Sequence, residues 1–403
     1  MRQKTTLRIG GFDHVLPVLI GGDHPVVIQT MWKDRLSFSD LEGESGAALV
    51  QRIARLQAMG CALLRFAVPD LEAAGVLGAL AGKVSMPLVA DIHFDYKIAL
   101  RCLDYPIAKI RINPGNIGNK EKVAKILAKA EERAVPIRIG VNAGSLPQDL
   151  RASVEEGRLD RAEALVAAAE RELAVFREFG FKNALVSLKA SGIADTIKAN
   201  RILASRTDLP IHIGVTEAGP LVAGVVRNTA ALVPLLAEGI GDTIRVSLSD
   251  SVENEVIAGR EILQSADAVC GPAAESRGDG DRRGVTLISC PRCGRNSFDT
   301  HAFTQRWLSR LYALDKDLTV AVMGCAVNGP GEARHADLGI TGAGNQALLF
   351  RHGKVIRTID AGGGEAGGAT DGGATGGLEV LADRAFGEAL EALLAEGPEP
   401  LGR

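Results

Sequence analysis

The sequence predicts an α/β protein: a (β/α)8 barrel of TIM type followed by a smaller α+β domain. Three observations point there. Eight short β-rich runs recur, and their apolar residues come nearly continuously, as in strands covered on both faces of a parallel sheet. A helical pattern lies between successive runs. The eight units also fit within about 245 residues, close to the usual size of a closed (β/α)8 barrel. An open doubly wound sheet is the competing architecture, but it does not call for eight equivalent units.

The runs lie at 26–29, 62–67, 87–92, 107–112, 136–141, 184–188, 210–215 and 243–248. Helical periodicity between them is clear at 120–133, 162–179 and 251–267. Residues 7–20, with a turn near Gly10 and Gly11, are expected to form a hairpin that closes the barrel bottom. These elements make a barrel domain of residues 1–270. The polar, Gly-rich stretch 271–284 (GPAAESRGDGDRRG) reads as a linker to a second domain, 285–403. That domain is expected to carry strands at 285–289, 318–323, 338–341, 348–351 and 355–359, with helices at 302–314 and 378–394. The Gly/Ala tract 361–377 reads as a surface loop.

Composition narrows the function classes. The chain has 403 residues, of which 46% are hydrophobic and 24% charged, so a large core is within reach and wholesale disorder is excluded. Aromatic content of 4% argues against a stacking surface for single-stranded nucleic acid. Forty-six Lys and Arg against 49 Asp and Glu give a net charge of −3, which argues against a nucleic-acid coat or an anionic-membrane binder. The chain shows neither a signal-peptide pattern nor a membrane-length apolar run, so a cytoplasmic location is expected. Six cysteines in a reducing compartment read as metal ligands or core residues rather than as disulfides.

Active sites of such barrels form at the carboxyl ends of the strands. Those ends carry Arg65 in LLRFAVPD, Asp91 and His93 in VADIHFD, and Arg111 with Asn113 in IRINPGN. Arg138 and Asn142 follow in IRIGVNAG, Lys189 in VSLKAS, Thr216 and Glu217 in HIGVTEAG, and Arg245 with Ser247 in IRVSLS. Five strands end in a cation. Closure of the barrel would bring all five to one mouth, where like charges repel unless an anion answers them. A diphosphate or two phosphates suits guanidinium forks. The competing reading pairs each cation with a nearby carboxylate. Asp91, His93, His212 and Glu217 also suggest a divalent-metal site, although His212 reads better as a buried, hydrogen-bonded core residue. Glu217 is the stronger general acid/base candidate.

The second domain carries Cys290-Pro-Arg-Cys293-Gly and Met323-Gly-Cys325-Ala-Val-Asn-Gly-Pro-Gly-Glu332. Three clustered cysteines leave two readings open. Zinc would complete a Cys3His set with His301 or His335. An iron–sulfur cluster on three thiolates would leave one iron distinct, with a displaceable carboxylate such as Glu332 as its fourth ligand. The C-x-x-x-C-x-x-C of radical S-adenosylmethionine enzymes is absent.

VADIHFDYKIAL, KIRINPGNIG, PIRIGVNAGSL, HIGVTEAG, CPRCGR and MGCAVNGPGEA together resemble the 4-hydroxy-3-methylbut-2-enyl diphosphate synthase family, in its two-domain bacterial form, over residues 30–359. The resemblance implies reductive opening and dehydration of 2-C-methyl-D-erythritol 2,4-cyclodiphosphate in isoprenoid biosynthesis. It implies a 4Fe–4S cluster on Cys290, Cys293, Cys325 and Glu332, with Glu332 displaced by substrate. It further implies a diphosphate held by Arg65, Arg111, Arg138, Lys189 and Arg245 with Asn142 and Ser247. Asp91, His93 and Asn113 would lie nearby, with Glu217 transferring a proton. A flavodoxin or ferredoxin donor and a homodimer, in which one chain's cluster domain caps the other's barrel, are implied as well. The linker arginines Arg282 and Arg283 and the 361–377 tract depart from the family pattern outside its motifs.

Overall fold

Strands apolar on both faces must be covered on both faces, and the first part of the chain does this by closing its sheet on itself. In a computed structural model, residues 4–270, 284–291, 293–294, 296–325, 331, 333–360 and 374–396 are described. The chain divides into two compact units, Met1–Ser276 and Arg277–Arg403.

In the first unit a hairpin of β1 (Leu7–Ile9) and β2 (Val18–Ile20) precedes eight parallel strands. These are β3 (Val27–Met31), β4 (Cys61–Ala67), β5 (Leu88–Asp91), β6 (Lys109–Ile112), β7 (Ile137–Asn142), β8 (Ala184–Lys189), β9 (His212–Ile213) and β10 (Thr243–Ile244). Neighbours pair in sequence order from β3 to β8, and β9 and β10 return to the free edge of β3. The Val186 N–H donates to the Pro210 carbonyl at 3.0 Å, and a bridge joins Val186 to Ile211, closing the ring between β8 and β9. Helices wrap the outside, several of them entered through a side-chain cap. Asp70 accepts the Ala73 N–H at the start of Leu71–Ala81, and Asp160 and Glu163 form a capping box at the start of Arg161–Glu178.

β9 and β10 are shorter than the runs 210–215 and 243–248. Beyond their ends, side chains replace the ladder partners. The Val215 N–H donates to Asn228 Oδ1 at 3.2 Å, and the Leu248 N–H donates to Glu255 Oε1 at 3.1 Å. The hairpin does close the bottom: Leu7, Ile9, Val15 and Ile20 pack against Leu63, Val89 and Leu185 of the barrel.

The second unit is a five-stranded sheet in the order β11 (Val285–Ser289), β12 (Leu318–Met323), β13 (Leu338–Ala343), β14 (Gln346–Arg351), β15 (Lys354–Asp360). The first three strands are parallel and the last two antiparallel. One face packs on helices Thr300–Tyr312 and Ala374–Ala395 through Val320, Val322, Ile340 and an aromatic cluster of Phe303, Trp307 and Phe386. The Trp307 indole N–H is satisfied by Asp383 at 2.8 Å. Linker residues 271–283, with Arg282 and Arg283, and tract residues 361–373 lie outside the described residues.

Candidate active site

Alternation along a strand sends every second side chain to the same face. On β6 and just beyond it, Lys109, Arg111 and Asn113 therefore point together toward the barrel axis. Pairing of Asp91 with Arg111 and of Arg111 with Arg138 sets those three on one face of neighbouring strands. The floor of the barrel is apolar, and the tiers above it are polar and strongly cationic.

Most of the cations have defined hydrogen-bond partners. Arg111 Nη1 donates to Asp91 Oδ1 at 3.1 Å and meets His93 Nε2 at 2.9 Å, while its Nη2 donates to the Gly140 carbonyl at 2.9 Å. Arg65 Nε stands 3.7 Å from Asp91 Oδ2, and its Nη2 donates to Met31 Sδ at 2.8 Å. Arg138 Nη1 donates to Ser187 Oγ at 2.8 Å, and Lys109 Nζ donates across the barrel to Gln29 Oε1 at 2.7 Å. Two glycines make the packing possible. A Cβ on Gly140 would lie 2.4 Å from Arg111 Nε, and one on Gly214 would lie 2.9 Å from Lys189 Nζ.

The carboxylate-pairing alternative accounts for only part of this charge. Arg65 and Arg111 share Asp91, and Arg245 has Glu255. Lys109, Arg138 and Lys189 have no carboxylate within ion-pair distance among the described residues. All three are buried, with Lys189 6% exposed and Lys109 fully enclosed. Burial first, and neighbouring cations second, push all three well below their ordinary pKa values. Burial would raise the Asp91 carboxyl, yet Arg65, the His93 hydrogen bond and Arg111 hold it well below the usual carboxylate range. The buried Nε atoms of Arg65, Arg111 and Arg138 and the Asn113 Oδ1 make no hydrogen bond among the described residues. Such orphaned polar groups, three of them guanidinium donors, are costly in a protein that leaves the site to its own atoms. The arrangement suits a multiply charged anion with several oxygens.

The remaining barrel candidates surround this mouth. Asn142 and Ser247 are half-buried, and His93 and Glu217 are exposed. Glu217 sits in the left-handed region at φ +52°, an unusual conformation for a non-glycine residue. The divalent-metal alternative does not assemble. Asp91 is engaged by two arginines, and His212 is fully buried with Nδ1 2.6 Å from Thr243 Oγ1. Lys109, Gln29, Ser187 and Glu255 were not among the sequence candidates. Strand alternation from Arg111 back to Lys109 was the available signal for the first. Glu255 reaches the site from a helix, so no strand pattern could show it.

Cys61 and Cys102 are core residues, with burial pushing both thiols up to about 12. In the second unit, Cys290 directly follows β11 and its N–H donates to the Val322 carbonyl at 3.0 Å. Cys325 lies two residues beyond β12, the parallel neighbour of β11. Both therefore stand at the carboxyl end of the sheet, Cys325 buried and Cys293 exposed on the loop between β11 and its helix. Among the described residues, no three His, Cys, Asp or Glu side chains are close enough to hold a metal ion, with or without His301 and His335. Glu332 lies outside the described residues. The donor set itself, three soft thiols on adjoining loops, fits an iron–sulfur cluster or zinc by its chemistry.

The chain matches the GcpE TIM-barrel domain over residues 14–260 and the GcpE protein C-terminal domain over residues 286–364. It is 51% identical to the 4-hydroxy-3-methylbut-2-en-1-yl diphosphate synthase (flavodoxin) of Treponema pallidum (strain Nichols), over 88% of this chain and 85% of that protein. It is 49% identical to the enzyme of the same name from Treponema denticola, covering 88% and 92% of the two chains. The identity is 42% to that of Geobacter sulfurreducens, covering 89% and 94%. With its barrel and C-terminal domain both matched, the chain belongs to the GcpE family.

Proposed function

We propose that this chain is a 4-hydroxy-3-methylbut-2-en-1-yl diphosphate synthase that draws its electrons from a flavodoxin. Its substrate is then 2-C-methyl-D-erythritol 2,4-cyclodiphosphate. Two electrons and protons enter, the ring C–O bond to phosphate breaks, and a hydroxyl leaves as water. The observation that carries this reading is the charge at the barrel mouth. Among the described residues, Arg65, Lys109, Arg111, Arg138, Lys189 and Arg245 converge against only Asp91 and Glu255 as ion-pair partners, and several buried donors lack partners. A cyclic diphosphate supplies both the negative charge and the oxygens for those donors.

In this reading Arg65, Arg111, Arg138, Lys189 and Arg245 bind the diphosphate, with Asn113, Asn142 and Ser247 at its edge. Asp91 keeps Arg65 and Arg111 apart and aligned, and His93 rests against Arg111. Glu217, at the exposed rim on a strained backbone, holds the proton that labilises the leaving hydroxyl. Cys290, Cys293 and Cys325 with Glu332 would hold a 4Fe–4S cluster, which when bound supplies one-electron reduction. Residues 1–270 would then bind substrate and residues 285–403 carry the cluster, in a homodimer detectable by sedimentation. Among the described residues, no helix is long and apolar enough to cross a membrane.

The test is iron, zinc and acid-labile sulfide on protein purified without oxygen, followed by turnover of the cyclodiphosphate with reduced flavodoxin. About four iron and four sulfide per chain are expected. One zinc without sulfide, or no turnover by iron-loaded protein, would overturn the reading.

A further inference from the structure

Arg245 lies one residue beyond the end of β10, so the sheet ladder alone does not fix its side chain. The grip comes from outside the barrel, from Glu255 on helix Val252–Cys270, whose side chain is 1% exposed. Its carboxylate accepts from Arg245 Nε and Nη2, each at 3.2 Å, from Thr30 Oγ1 at 2.5 Å and from the Leu248 N–H at 3.1 Å. Lys33 Nζ stands 3.0 Å away. These partners come from β3, the loop after β3, and the loop after β10, so one carboxylate pins the seam where β10 meets β3.

The pairing also selects which edge of the guanidinium is left over. Glu255 occupies the Nε–Nη2 edge. Arg245 Nη1 is left 3.6 Å from Met31 Sδ, a weak acceptor that also takes Arg65 Nη2 at 2.8 Å. Two guanidinium edges therefore meet over one sulfur atom. We propose that Glu255 is the positioning residue for Arg245, turning its Nη1 edge beside Arg65 so that the pair clamps one anionic oxygen. This inference rests on the phosphate-binding reading of the barrel.

Simple charge counting predicts the opposite result on mutation, which makes the test decisive. Removing a carboxylate from a cation cluster strengthens its field for anions, whereas losing the orientation of Arg245 weakens the grip. The full-length protein is titrated calorimetrically with inorganic pyrophosphate as wild type, Glu255→Gln, Arg245→Met and the double variant. We expect E255Q to weaken pyrophosphate binding about tenfold or more. In the R245M background the same change should alter affinity less than about threefold, because the group being positioned is gone. A carboxylate needed only for folding would lower the active fraction and Tm while leaving the affinity of the folded protein unchanged. Equal or tighter binding by E255Q, or additive losses in the double variant, overturns the proposal. If E255Q does not fold, Glu255→Asp, which keeps the charge but withdraws it by one methylene, carries the same comparison. A wild-type protein that does not bind pyrophosphate overturns the phosphate reading and this inference together.

Discussion

Lys189→Met should make the protein more stable and a poorer anion binder. Lys189 is 6% exposed, and its ammonium has no hydrogen bond or ion pair among the described residues. Burial, then Arg138, Arg245 and Arg65, all disfavour its charged form, and only Glu255 acts in the other direction. At an effective dielectric of about 20, like charges within one site repel by on the order of 1 kcal/mol each or more. Three such repulsions less one attraction leave on the order of 2 kcal/mol, to be relieved by an uncharged side chain of similar length. For a unit of this size that corresponds to a Tm rise of roughly 4–8 °C. Loss of one charged donor to a phosphate oxygen should weaken pyrophosphate binding by about tenfold to a hundredfold. Scanning calorimetry with and without pyrophosphate reads both quantities in one experiment. The variant should begin above wild type and gain less from the ligand. A lower starting Tm with an undiminished ligand response would refute the reasoning, since Lys189 would then be a packing residue.

Other outcomes follow from the same geometry. His212 is held well below its ordinary pKa by burial and then by Lys189 and Arg138. The unfolded chain therefore binds its proton first, and stability should fall as pH drops below about 6.5, by up to about 1.4 kcal/mol per pH unit. Denaturant titrations at several pH values should show this slope, and His212→Asn should flatten it. Glu217→Gln should depress turnover while sparing pyrophosphate affinity. Glu217→Gly should also depress turnover but raise stability by about 1 kcal/mol, because it relieves the φ of +52°; unimpaired turnover in both would remove Glu217 from proton transfer. Gly140→Ala places a Cβ 2.4 Å from Arg111 Nε. Arg111 must then leave the Gly140 carbonyl and Asp91, at a cost of about 1–3 kcal/mol in stability and with weaker pyrophosphate binding in the same titration.

The barrel was legible because closure on both faces demands apolar strands and covering helices, a requirement written residue by residue into the local pattern. The strands expected at 285–289 and 318–323 coincide with β11 and β12 for the same reason. Strand-end cations were legible too, since a barrel turns strand ends into one mouth wherever they fall in the chain. What the sequence left open was how those cations are answered. Asp91 serves two arginines, Arg138 bonds to Ser187, Lys109 finds Gln29 across the barrel, and Glu255 arrives from a helix. These contacts join residues from 10 to 80 positions apart and on different elements, and charge or alternation along one strand carries no information about its partner. The early ends of β9 and β10 have the same origin, because Asn228 and Glu255 take over the ladder bonds from neighbouring helices. Sequence alone determined the barrel and the excess of cations at its mouth. Only the tertiary structure decided which of them stand unpaired, because ion pairing depends on distances that close when the ring closes.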